Sequence, residues 1–398
     1  MRALDGEKGH MPEPAGLAVG GGQNSSVSAE THLGAADIST DLAWVDMLRG
    51  IAIVVVVLGN WASYMVAATP SLAAEFATKF KLTVAPSVQV FFILSGFGLT
   101  MGYLKAGKSN WSWRRWVWRR FTKIVVPYEL AVLLSFMLGI LGSHLYEALQ
   151  IQFSWRSLLA CLTFTRNFYR PSWAWNAPLW FMPVMIGLYV SFPLLLKMLE
   201  KWGPRVLISI SLLVTYGTLT VAVLAGSTGN HARDLFTFWL FQFALGMALA
   251  YLRHNDPTRL RLLLGTRAFL LGSGLMVCSW VLRTYIPLGQ VFNDGVTSMG
   301  IFLILLNLAW ALRARLPAVG RPLNALSSES YYMYLIHYPL MMWLVAPLLR
   351  ESLNPILMLP GGGLYLVVVY VLCRLISKPS RNLASGLYAR LSSAVPDR

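Results

Sequence analysis

Ten stretches of roughly twenty apolar residues run through this chain, and no second soluble domain lies between them. A helix rises 1.5 Å per residue, so about twenty residues cross the ~30 Å hydrocarbon core of a bilayer. The runs fall at 45–66, 86–104, 124–142, 178–197, 205–225, 235–252, 268–286, 296–312, 329–349 and 355–377. In hydrocarbon every backbone N–H and C=O needs an internal partner, and an α-helix supplies all of them within one segment. The expected fold is therefore all-α, a polytopic membrane helical bundle of about ten transmembrane helices. The tract 157–169 is apolar but too short to span, so it is expected to be interfacial or re-entrant. Residues 1–42 carry no apolar run and read as a disordered cytoplasmic tail. Residues 43–377 form the membrane domain and 378–398 a second cytoplasmic tail.

Only 13% of the residues are charged, against roughly a quarter in an average soluble domain. The formal net charge is +16. A basic balance often signals nucleic acid, but here the cations sit between apolar runs. That pattern points to topology and anionic lipid headgroups, with the bilayer as partner and no nucleic acid. The connections after the even-numbered runs, together with the C-terminal segment, hold 22 of the 33 Lys and Arg residues, and the other connections hold seven. Cationic loops stay cytoplasmic. Both termini are therefore expected on the cytoplasmic side of the plasma (inner) membrane. The three cysteines have no metal-ligand spacing and the six histidines are scattered, so no metal site is expected, and Cys278 and Cys373 read as small core residues.

Four places carry polar side chains into the bilayer. Arg49 lies just inside the first run, where an arginine either snorkels to the headgroups beside Asp46 or faces a cavity. Asn60 follows eleven residues later, roughly 16 Å deeper. It either makes an interhelical hydrogen bond or belongs to a site. The third run is entered through W-R-R-W-V-W-R-R-F-T-K-I-V-V-P-Y at 113–128, an aromatic and cationic belt. Arg120 and Lys123 there stand one helical turn apart. They can face one side and clamp a phosphate. The ninth run holds His337, which either satisfies a hydrogen bond or handles a proton.

Taken together these segments resemble the membrane-bound acyltransferase-3 family, which acylates carbohydrates and other hydroxyl compounds. The carrying segments are D-M-L-R-G-I-A-I-V-V-V-V-L-G-N (46–60), F-F-I-L-S-G-F (91–97), R-R-F-T-K-I-V-V-P-Y (119–128), L-W-F-M-P-V-M-I-G-L-Y (179–189) and S-Y-Y-M-Y-L-I-H (330–337). The resemblance implies an O-acyltransferase that uses acyl-CoA as donor substrate, and the likeness of the fourth-helix segment to the branch that O-acetylates surface polysaccharides implies acetyl-CoA. It implies a carbohydrate or similar hydroxyl acceptor. Arg120 and Lys123, with Arg119 beside them, would hold the donor's phosphates, and Arg49 would stabilise the donor or pair with Asp46. The family motif in the first helix is Arg, ten residues, then His. Here Arg49 is followed after the same gap by Asn60, which has no titratable nitrogen and cannot act as a base. The third-helix motif Arg-x-x-Arg stands as Arg120-x-x-Lys123. Three readings follow: an acyltransferase with altered or impaired chemistry at Asn60, a non-catalytic or engineered inactive relative, and a transporter of a small molecule or glycan precursor. His337 is the one histidine in the motif segments, and the sequence does not fix its distance from Asn60. Acceptor, acyl length and oligomeric state are not encoded in these motifs.

Overall fold

A computed structural model describes residues 42–68, 87–145, 154–169, 176–226, 232–285, 289–345 and 358–393. The expected N-terminal tail, 1–42, lies outside them except for its last residue. Ten α-helices make up the described chain: α1 (Ala43–Ala68), α2 (Ser87–Ala106), α3 (Trp113–Leu145), α4 (Trp155–Leu162), α5 (Phe181–Leu224), α6 (Leu240–Asn255), α7 (Thr266–Tyr285), α8 (Gly289–Arg315), α9 (Pro317–Leu340) and α10 (Met358–Ser393). No strand occurs among the described residues. The fold is an all-α polytopic bundle.

Eight of these helices, all except α4 and α9, are long and apolar enough to cross a membrane. One of them, α5, is 44 residues long and carries two of the expected crossings. It breaks at Gly203, whose φ of 80° is open to glycine and strained for other residues, and Pro204 follows. The two arms fold back on one another, as their shared partners on α6 reveal. Phe192 meets Phe243 edge-on with ring centroids 6.3 Å apart, while Thr215 Oγ1 accepts from the N–H of Phe241 at 3.2 Å. On a straight helix Phe192 and Thr215 would stand roughly 35 Å apart. The expected crossing at 329–349 falls on α9 and the π-turn Met341–Val345 that continues it. Its N-terminal half is diluted by Asn324, Ser327, Ser328, Glu329 and Ser330.

The short tract at 157–169 forms α4 and a 3₁₀ turn, Arg166–Phe168, in place of a crossing. Ser154 caps α4 by accepting from the N–H of Ser157. The C-terminal segment does not end its helix at 377: α10 runs on to Ser393, and Arg381 on this extension reaches back to α9.

Tight helix contacts hold the bundle. Gly96 on α2 faces the backbone of Phe243 on α6, and Gly246 on α6 faces the backbone of Ile93 on α2. Two bare backbones in contact gain dispersion without a hydrophobic drive, the usual way helices associate in lipid. A polar seam joins α2, α6 and α8 deeper in the bundle. Gln89 donates to Asp294 at 3.1 Å, Ser298 donates to Gln89 at 2.6 Å, and Gln242 donates to Ser298 at 3.0 Å. Arg233 closes the seam on Asp294 at 2.8 Å. Cys161 and Cys373 are buried, but Cys278 is exposed on α7, because α7 packs chiefly on α8 and presents its other face outward. The core-residue expectation for Cys278 is thereby corrected.

Candidate active site

α3 is helical through its whole cationic entry, and this fixes where the basic side chains point. Arg120 and Lys123, three residues apart, both reach the wall of one cavity of about 500 Å³. Arg119, one residue back, is exposed on the outside of the helix and does not line it. A step of 100° per residue separates them, so one of the three expected phosphate ligands is displaced from the site. The Arg120 guanidinium lies 6.0 Å from the centroid of the Tyr189 ring on α5. Its Nε is buried with no hydrogen-bond partner among the described residues. Arg119, Arg120 and Arg381 surround Lys123 with like charge.

α1 and α9 line the same cavity. Arg49 pairs with Asp46 at 3.0 Å, and the same carboxylate oxygen accepts from Ser327 at 3.4 Å. Arg49 is 33% exposed at its side chain and faces this cavity. Its charge is balanced locally, whereas Arg120 and Lys123 have no acidic partner among the described residues. The cavity therefore carries a net surplus of two cations. Ser95 on α2 lines it as well, beside the close α2–α6 contact at Gly96. At the rim, Arg381 bridges the Ser328 carbonyl and the Glu329 carboxylate, both at 2.8 Å, and lies 5.5 Å from the Tyr332 ring centroid.

Beyond Tyr334, which lines the cavity, the next turn of α9 brings His337 against α1. Asn60 Nδ2 lies 3.2 Å from His337 Nε2 and 3.0 Å from the Val56 carbonyl. Two helices that meet at Asp46–Ser327 and again at Asn60–His337 run side by side in one direction. His337 Nδ1 is 2.9 Å from both the Met333 and Tyr334 carbonyls. Carbonyls only accept, so Nδ1 carries the proton and Nε2 the lone pair. Asn60 then donates to Nε2 and to Val56. The reverse amide orientation would set oxygen against two acceptors. His337 is fully buried, and the Tyr365 hydroxyl donates to its carbonyl. Neither Asn60 nor His337 is among the cavity-lining residues.

Above this pair a buried polar group closes the bundle. Asn176 donates to Ser135 Oγ at 3.1 Å and to the Leu335 carbonyl at 2.9 Å, and its own carbonyl accepts from Arg166 at 2.8 Å. Tyr334 donates to the Pro178 carbonyl at 2.7 Å. Arg166, which counts in the sequence only as a loop charge, is completely buried. Its sequence signal is weak: an arginine beside an apolar tract too short to span. Tyr189 and Tyr334 also escape sequence reading, since each sits in a segment already explained by its helix, and Ser327 does because it precedes the ninth apolar run.

The fold and site define a membrane-embedded helical bundle with an anion-attracting cavity and a buried imidazole one layer further in. A family model described as an acyltransferase domain matches residues 42–377, nearly the whole chain. The chain belongs to the acyltransferase-3 family. Comparison with curated proteins and with solved structures returned no match.

Proposed function

We propose that this protein transfers an acyl group, most simply acetyl, from acyl-CoA to a hydroxyl of a carbohydrate or similar acceptor at the plasma membrane. The observation that carries this reading is the cavity of about 500 Å³ with Arg120 and Lys123 on one wall and no acidic partner for either among the described residues. Its size suits a small-molecule site. A phosphate fits the residues present: it would balance the surplus charge of Arg120 and Lys123, both of which line the cavity. Arg120 and Lys123 would hold the donor's phosphates, with Arg49, kept in place by Asp46, lining the same cavity. The donor's acyl end would then point past Tyr334 towards Asn60 and His337.

The direct test uses native membrane vesicles containing the protein, beside vesicles that lack it, with labelled acetyl-CoA. Release of CoA thiol together with transfer of label to membrane glycan or lipid-linked sugar is the expected result. CoA binding without either product would favour a non-catalytic member of the family. Label carried across the membrane as intact substrate would favour transport.

Orientation is part of the proposal, because the donor is a cytoplasmic metabolite. Ser109 and Ser385 are exposed and lie on what we take to be the cytoplasmic side. Cysteines placed there, in a background with Cys278 replaced by serine, should resist a membrane-impermeant thiol reagent in intact cells and react after permeabilisation. Prompt labelling of Ser109→Cys in intact cells would invert the orientation and detach the cavity from its donor.

A further inference from the structure

Acyl transfer to a hydroxyl needs a base, and the first helix offers none, because Asn60 cannot take a proton at neutral pH. We infer that His337 supplies the base through Nε2, from a position shared with the side chain of residue 60. The inference rests on the acyl-transfer reading above.

The geometry leaves one nitrogen available. Nδ1–H is committed to the Met333 and Tyr334 carbonyls, both at 2.9 Å, so the lone pair is confined to Nε2. The partner given to Nε2 is the amide of Asn60 at 3.2 Å, a neutral contact that an incoming hydroxyl can replace. Asn60 keeps its bond to the Val56 carbonyl when that happens. The carboxylate that does line the cavity is taken: Asp46 is held by Arg49 at 3.0 Å and by Ser327 at 3.4 Å. The two other described histidines, His144 and His254, are exposed at helix ends away from the cavity wall. His337 lies 5.9 Å from Tyr334 between ring centroids, and Tyr334 forms the cavity wall.

The step balances as written. The acceptor oxygen bonds to the thioester carbonyl carbon while its proton passes to Nε2. The imidazolium so formed is stabilised by the two carbonyls that receive Nδ1–H. The tetrahedral adduct then collapses, the carbon–sulfur bond breaks, and Nε2 returns the proton to the leaving thiolate. The products are an ester and free CoA thiol, with His337 neutral again. Asn60 acts as a positioning residue, holding the ring and its tautomer until the hydroxyl arrives.

Four proteins test this: the protein as written, His337→Gln, Asn60→His, and the double variant Asn60→His/His337→Gln. For each, acetyl-CoA turnover in native membrane vesicles is measured beside CoA affinity by calorimetry. Glutamine preserves hydrogen bonding but takes no proton, so His337→Gln should lose turnover by about 10²–10⁴-fold with CoA affinity unchanged. The double variant moves an imidazole across the 3.2 Å contact and should recover most of that loss. A merely structural role for His337 predicts lost affinity or lost fold, and no rescue. Turnover retained within a few-fold in His337→Gln would overturn the assignment while leaving the acyltransferase reading intact. A double variant that binds CoA and stays inactive would also overturn the assignment, and a protein as written that binds CoA without turnover would overturn both the assignment and the acyl-transfer reading it rests on. Failure of all four to bind CoA would instead sink the donor reading itself.

Discussion

Replacing Arg120 and Lys123 together with alanine should abolish CoA binding over any practical titration range. Each cation contacting a phosphate is worth roughly 1.5–3 kcal/mol, and every 1.4 kcal/mol is about tenfold in affinity. Single replacements should therefore weaken binding on the order of tenfold or more. The pair should approach two to four orders of magnitude, an upper figure because neighbouring charges do not add independently. The effect is expected to be this large because both cations line the cavity and neither has an acidic partner among the described residues. Lys123→Arg should bind at least as well, since a guanidinium adds a planar fork without changing charge. Arg119→Ala, whose side chain lies outside the cavity, should leave affinity nearly untouched. Calorimetry with CoA at fixed ionic strength separates the cases. An unchanged dissociation constant in the double variant would leave these residues as membrane anchors only.

Gly246→Leu should yield no correctly folded protein. A Cβ on Gly246 would fall on the Ile93 carbonyl of α2, and one on Gly96 would fall on the Phe243 carbonyl of α6. These are backbone atoms, so no rotamer change relieves the clash. Overpacking a core usually costs about 1–3 kcal/mol. Here two helices must separate along their seam, and the polar chain of Gln89, Gln242, Ser298 and Asp294 spans the same junction. Gly102 has no atom within 4 Å of where a Cβ would stand. Gly102→Ala should therefore be neutral, or stabilising by a few tenths of a kcal/mol up to about 1 through the unfolded state. Size-exclusion profiles and thermal midpoints in detergent report the difference. Equal midpoints for the two variants would show that the α2–α6 contact does not hold the bundle.

Several features were legible before any coordinates. Apolar run length specifies crossings because hydrocarbon tolerates no unpaired backbone, so the all-α bundle follows from spacing alone. Arg120 and Lys123 share a face because a helix turns once in 3.6 residues, and the cavity gathers both. The same periodicity, applied one residue earlier, places Arg119 on the outside.

What the sequence could not decide is anything that depends on which helices become neighbours. Asn60 and His337 belong to the first and last of the five motif segments and touch at 3.2 Å. No local rule links them, because the contact is created by packing α9 against α1 after the chain has crossed the intervening bundle. Arg166 reads as a loop charge and is buried because Asn176, from another segment, offers it a carbonyl. Cys278 reads as core and faces outward because α7 packs chiefly along α8. Local periodicity sets which side chains share a helix face. Only the assembled bundle sets what that face meets, because each contact needs two surfaces and the sequence presents them one at a time.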